Sequence, residues 1–135
     1  MKKVYRIFFS HGSEDQFIAS LLKEKLETSG ASIFFDALEI KYGDNFQKKV
    51  IEELTKFEEL FVLLTPSSIT SQWVHAEIGA ALARKKRIVV FSYGIKQAEV
   101  DERELLSLLG TIRILSINDF DLYISELKSR VQGHL

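Results

Sequence analysis

The sequence predicts an α/β domain built on a five-stranded parallel sheet with helices on both faces. Three observations predict it. Short apolar runs alternate with amphipathic stretches along the whole chain, so that each strand is followed by a crossover segment. The strand-like runs are apolar almost throughout, as strands buried on both faces must be. The length, 135 residues, suits one domain spanning 1–135.

Each element has its own warrant. Val4-Tyr5-Arg6-Ile7-Phe8-Phe9-Ser10 is aromatic and β-branched and reads as the first strand. Ser13-Glu14-Asp15-Gln16 has the form of a capping box. Phe17, Ile18, Leu21, Leu22 and Leu26 then recur at helical spacing, and Gly30 closes the helix. Ser32-Ile33-Phe34-Phe35-Asp36 is the second strand. A loop from Ala37 to Gly43 leads to Asp44, an N-cap with Gln47 at N3, and to a helix with Phe46, Val50, Ile51 and Leu54 on one side. Leu60-Phe61-Val62-Leu63-Leu64-Thr65 is the third strand, stopped by Pro66, the only proline. Ser67-Ser68-Ile69-Thr70-Ser71 opens a helix that runs to about Arg84. Arg87-Ile88-Val89-Val90-Phe91 is the fourth strand, a short helix falls within 101–109, and Thr111-Ile112-Arg113-Ile114-Leu115 is the fifth strand. The last helix carries Phe120, Ile124, Leu127 and Val131 on one face.

The expected strand order is 2-1-3-4-5, the flavodoxin-like arrangement. Such sheets bind ligands beyond the carboxyl ends of the strands, where the winding reverses between strands one and three. That rule points to Ser10-His11-Gly12 and Thr65-Pro66-Ser67, flanked by the loop after Asp36.

Composition removes several function classes. Cysteine is absent, which excludes disulfides, thiolate metal sites and a cysteine nucleophile and fits a reducing cytoplasm. Lys+Arg at 18 against Asp+Glu at 19 leaves no basic excess for nucleic acid or an anionic membrane. The run Arg84-Lys85-Lys86-Arg87 stands at a helix end, where cations complement the dipole. Apolar runs reach only about six residues against the roughly 20 of a spanning helix. Met1-Lys2-Lys3 leads straight into a strand with no signal-peptide pattern, so a cytoplasmic location is expected. The glycines form neither G-x-G-x-x-G nor a P-loop, and there is no G-x-S-x-G elbow. Thr65-Pro66 stands where a phospho-receiver needs its aspartate. His11, His75 and His134 are scattered without spaced carboxylate partners, so no metal is expected.

One segment stands out: Ser71-Gln72-Trp73-Val74-His75-Ala76-Glu77-Ile78-Gly79-Ala80-Ala81-Leu82. Val74, Ile78, Ala81 and Leu82 form a stripe expected to pack on the sheet. Trp73 and Glu77, four apart, share the adjoining face beside the crevice. A carboxylate held against an indole and small residues is partly desolvated, which sharpens its electrostatic effect. The alternative is a surface glutamate on an amphipathic helix. His11 is read either as a ligand contact or as a loop-bonded structural residue, and Asp36 either as a ligand contact or as a cap. Thr65, Ser67 and Ser68 are expected to satisfy loop and helix-start amides.

Phe8-Phe9-Ser10-His11 with Ser13-Glu14-Asp15 resembles the first-strand signature of TIR (Toll/interleukin-1 receptor) domains. Phe34-Phe35-Asp36 followed by Gly43-Asp44 resembles the family's second strand and BB loop, and Leu63-Leu64-Thr65-Pro66-Ser67-Ser68 its third-strand ending. Ser71-Gln72-Trp73-Val74-His75-Ala76-Glu77 is similar to the S-x-W-V-x-x-E segment of the enzymatic members, the bacterial NADase-type branch among them. The resemblance implies cleavage of NAD⁺ at the nicotinamide–ribose bond, giving nicotinamide and ADP-ribose or a cyclic isomer that serves as a signal in immune or antiphage defence. It also leaves open a non-catalytic module that recruits other TIR domains. Carried over, Glu77 is the catalytic glutamate, and Trp73, Ser10, His11 and Asp36 are substrate-binding. Leu38, Ile40, Tyr42 and Gly43 belong to the BB loop that contacts a neighbouring domain. Its Ile40-Lys41-Tyr42-Gly43 lacks the proline common there, which leaves the loop less restrained. NAD⁺ is then a substrate and no cofactor is implied. The implied partners are NAD⁺ and other TIR domains, with no nucleic acid and no membrane.

Overall fold

Strands that are apolar at every position can only be stable with both faces covered, and the chain solves this with parallel pairing and crossover helices. The structure, a computed structural model, describes residues 4–35, 55–69, 72–95 and 112–134, with Gln72 and Trp73 described for their backbone alone. The strands are β1 (Arg6–Ser10), β2 (Ser32–Phe35), β3 (Glu59–Leu64), β4 (Arg87–Ser92) and β5 (Ile114–Ser116). The described helices are α1 (Gln16–Glu27), α2 (Gln72–Ala83) and α3 (Phe120–His134). All pairings are parallel and the order is β2-β1-β3-β4-β5, as the sequence predicts. The expected helix after Asp44, the short helix within 101–109 and the residues 36–43 lie outside the described residues.

Register divides the core in two. Phe8 lies beside Phe34 and Leu60, Phe9 beside Phe35 and Phe61. Ile7, Phe9, Phe61, Leu63 and Phe91 face α1 and α3, meeting Leu22, Leu26, Phe120, Leu127 and Val131. Phe8, Leu60, Val62, Leu64 and Val90 face α2, meeting Val74, Ile78 and Ala81. The two-residue strand period thus fills both layers from one continuous apolar run.

The helix ends depart from the capping-box expectation. Ser13–Asp15 is a 3-10 turn, α1 begins after it, and neither N-cap, Gly12 nor Asp15, makes a side-chain cap bond. Asp15 has instead been recruited across the sheet edge, as described below. The buried face of α1 is Ala19, Leu22 and Leu26, whereas Phe17 is 78% and Leu21 50% exposed. Spacing alone could not separate these two stripes, because both are apolar. On α2, Leu82 is exposed rather than packed on the sheet, and Glu77 takes the remaining place in the buried series 74, 77, 78, 81. Gly30 ends the α1 region at φ +95°, a left-handed conformation that glycine adopts freely. At the end of α2 the same role falls to Lys85, at φ 55°, whose amide bonds the Leu82 carbonyl while Lys86 N bonds Ala81 O. The basic run therefore closes a helix, as expected.

β3 starts one residue earlier than the apolar run suggests, and the added residue is a fully buried carboxylate. Glu59 Oε1 accepts from Tyr5 Oη at 2.9 Å and from Arg130 Nη2 at 2.7 Å, and Oε2 accepts from Tyr123. Arg130 also donates to Tyr5 Oη at 3.1 Å and to Glu126 at 2.7 Å. Burial and the Glu59 charge push the Tyr5 phenol up to about 12 and raise Tyr123 by the same causes. Burial opposes the Arg130 charge, but Glu59 and Tyr5 outweigh it and hold the guanidinium above its usual range. This network fastens α3 to the amino-terminal end of the sheet.

Two outcomes follow for stability. Arg130→Met leaves Glu59 buried without its cation and is expected to cost about 3–5 kcal/mol in urea unfolding. Lys85→Gly relieves the left-handed strain and should raise stability by about 0.5–1 kcal/mol in the same measurement; a loss would show that Lys85 is held there by something other than its backbone.

Candidate functional site

At the carboxyl end of β1 the chain turns from Ser10 through His11 and Gly12 into the 3-10 turn, and at the carboxyl end of β3 it turns through Thr65 to Ile69 toward α2. These are the two strand ends at which the winding of the sheet reverses. They are tied to each other. Thr65 Oγ1 donates to Asp15 Oδ2 at 2.6 Å, and Ser67 Oγ donates to the same oxygen at 3.0 Å. Ser68 Oγ accepts from Thr65 N at 2.9 Å and donates to Leu63 O at 3.0 Å, so the turn satisfies its own backbone, as expected of these hydroxyls. Gly12 makes the approach possible: a Cβ there would lie 3.1 Å from Asp15 Oδ2 and 3.2 Å from Ser68 Cβ.

From the turn after β3 the chain leads into α2. Val74, Ile78 and Ala81 anchor it on the sheet, and Glu77 projects from the same face toward the end of β1. Ser10 Oγ donates to Glu77 Oε1 at 2.8 Å, joining residues 67 positions apart, and both side chains are 0% exposed. The next residue, His11, is also buried, with its ring edge-on to Phe9 and Phe35. Its Nδ1 lies 2.9 Å from the Gly12 carbonyl. A carbonyl only accepts, so Nδ1 carries a proton, and Nε2 makes no hydrogen bond among the described residues. On the outer side of α2, His75 Nε2 donates to Ile69 O at 2.8 Å and pins the turn to the helix.

The structure thus brings together Ser10, His11 and Glu77, three of the residues singled out in the sequence. Trp73 stands in the first turn of α2, and its side chain is outside the described part. Asp36, Leu38, Ile40, Tyr42 and Gly43 also lie outside it. Glu77 is more buried than the sequence suggests, because it occupies a sheet-facing position rather than the flank. Its place in the i, i+3, i+4, i+7 series with Val74, Ile78 and Ala81 is the signal that identifies this. Asp15 was not singled out for the site; read as part of a cap, it serves the clasp. Nothing in the linear sequence reveals a bond to a residue 50 positions away. Among the described residues no group of three or more His, Asp or Glu side chains is placed to hold a metal, and no helix is long and apolar enough to cross a membrane.

Chemically, the arrangement offers an oriented carboxylate and an imidazole nitrogen, both buried, at the strand ends where the winding reverses. Such groups suit the binding of hydroxyls and the stabilisation of positive charge.

The chain resembles known proteins in sequence and in fold. A family model described as "TIR domain" matches residues 7–126. The chain is 33% identical over 84 residues to the 2' cyclic ADP-D-ribose synthase BtTIR of Bacteroides thetaiotaomicron, a match covering 62% of this chain and 29% of that protein. It is 29% identical over 101 residues to the NAD(+) hydrolase TcpA of a Theionarchaea archaeon, covering 71% and 31% respectively. The match thus spans about three tenths of the length of these curated relatives. Among solved structures, the RPS4 and RRS1 TIR domain heterodimer is similar in fold, with a TM-score of 0.65, 15% identity and 98% of both chains covered.

Thr65→Val keeps the shape of the clasp but removes the hydroxyl donated to Asp15. The expected loss is about 1–3 kcal/mol of unfolding free energy, measured with urea.

Proposed function

The chain belongs to the TIR domain family, and from that premise we propose that it cleaves the nicotinamide–ribose bond of NAD⁺ with Glu77 as the acting carboxylate. The observation that carries this reading is the buried Ser10–Glu77 pair, next to His11, at the strand ends where the winding of the sheet reverses. The relatives named as an NAD(+) hydrolase and a cyclic ADP-ribose synthase support the substrate.

The chemistry needs few groups. The nicotinamide ring nitrogen is already cationic, so when its bond to ribose C1 breaks, the electron pair goes to that nitrogen and nicotinamide leaves neutral without a general acid. Positive charge then develops on the ribose, as in glycoside hydrolysis. A fixed carboxylate orients the ribose hydroxyls and stabilises that charge. Attack on C1 by water, with loss of a proton, yields ADP-ribose; attack by an adenine or ribose atom of the same molecule yields a cyclic isomer. His11 offers Nε2 as an acceptor for a substrate hydroxyl or amide, and Trp73 a surface for stacking. Asp36 is the remaining candidate for a ligand bond, on the family resemblance. No resident cofactor is required, because NAD⁺ is the substrate.

Glu77 is shut off from solvent, so substrate reaches it only once the carboxylate becomes exposed. Self-association through Leu38, Ile40, Tyr42 and Gly43 is the proposed partner contact, supported by the paired TIR domains of the similar structure. The reading extends to a cytoplasmic signal in immune or antiphage defence. The same full burial of Glu77 favours a second reading, a recruiting module in which this carboxylate only holds α2 to the sheet.

Nicotinamide release from NAD⁺, followed over a range of protein concentrations, separates the two. Glu77→Gln is expected to lower turnover at least about 100-fold with its fold retained by circular dichroism. No turnover from the wild type, even when forced to assemble, would favour the recruiting module, and equal turnover in the variant would remove Glu77 from the chemistry.

A further inference from the structure

We propose that Ser10 is a positioning residue that fixes the orientation of the Glu77 carboxylate, rather than a group that touches substrate. The inference rests on the reading of Glu77 as the acting carboxylate. Ser10 ends β1, an interior strand of the sheet, paired to β2 on one side and β3 on the other, with its own backbone in register with Val62. A side chain on that backbone has one free torsion and little room to move. Glu77 reaches the site on a longer chain with three torsions, whose ordering has an entropic cost.

The hydroxyl has a single proton, and the geometry assigns it to Glu77 Oε1 at 2.8 Å. In this bond the hydroxyl is the donor and the carboxylate oxygen the acceptor. With its proton committed and its side chain 0% exposed, Ser10 has no donor left for a substrate hydroxyl or phosphate. The neighbouring His11 differs, since its Nε2 makes no hydrogen bond among the described residues. Two adjacent residues at one strand end thus divide the work: His11 offers a site to the ligand, and Ser10 sets the carboxylate that acts on it. A hydrogen bond to a rigid sheet holds the acting oxygen in place before substrate arrives, which is worth more to the transition state than to binding.

The test is steady-state NAD⁺ cleavage by the wild type, Ser10→Ala, Ser10→Cys and Glu77→Gln, with thermal melting of each. Ser10→Ala is expected to lower kcat about 10- to 100-fold while KM stays within about twofold. Ser10→Cys keeps nearly the size of serine but donates poorly, so it should melt close to the wild type and still lose kcat as the alanine variant does. A rise in KM at unchanged kcat would make Ser10 a substrate contact and overturn the proposal. Wild-type kcat in Ser10→Cys would show that volume matters and not the bond. If neither Ser10 variant folds where the wild type does, Ser10 is a core residue and the proposal falls. Full activity in Glu77→Gln removes the catalytic reading itself, whereas a dead Glu77→Gln beside a fully active Ser10→Ala removes this inference alone.

Discussion

A parallel sheet that is apolar on both faces has to be sandwiched, and every other feature of this molecule is arranged around that demand. The helices are placed by it, since α1 and α3 close one face and α2 the other. Water is thereby driven from the strands, and any polar group that stays on a covered face must find its partner inside the protein. Among the described residues two carboxylates stay there, Glu59 near the amino-terminal end of the sheet and Glu77 near the carboxyl end.

The two are accommodated differently. Glu59 meets a guanidinium and two phenols, so its charge is balanced where it sits and α3 is fastened by the same bonds. That is how a buried ion serves architecture. Glu77 accepts from the hydroxyl of Ser10, anchored in an interior strand, at the end of the sheet where such folds receive ligands. The clasp of Asp15 with Thr65 and Ser67 steadies the same end by joining the two turns.

Legibility of the molecule in its sequence followed the strength of the local signal. Strand runs such as Leu60 to Leu64 admit one interpretation, and with crossover chirality they lead to the observed order. Helix faces were less distinct wherever two apolar stripes competed. Phe17 and Leu21 compete on α1 with Leu22 and Leu26, and on α2 Leu82 has the hydrophobicity of a core residue while Glu77 has the position of one. The Ser13 box also misled, since the competing partners of Asp15 lie 50 and 52 residues away.

The sequence by itself determined the class of fold, the order of its strands and the end of the sheet where Ser10, His11 and Glu77 gather. These depend on periodicity and on short-range sterics, which are properties of neighbours along the chain. Only the tertiary structure decided that Ser10 and Glu77 bond, that Glu59 is buried among Tyr5, Tyr123 and Arg130, and that Asp15 reaches across to Thr65. Each of these joins residues from 50 to 71 positions apart, and their pairing is chosen by packing, for burial leaves a polar group no other company.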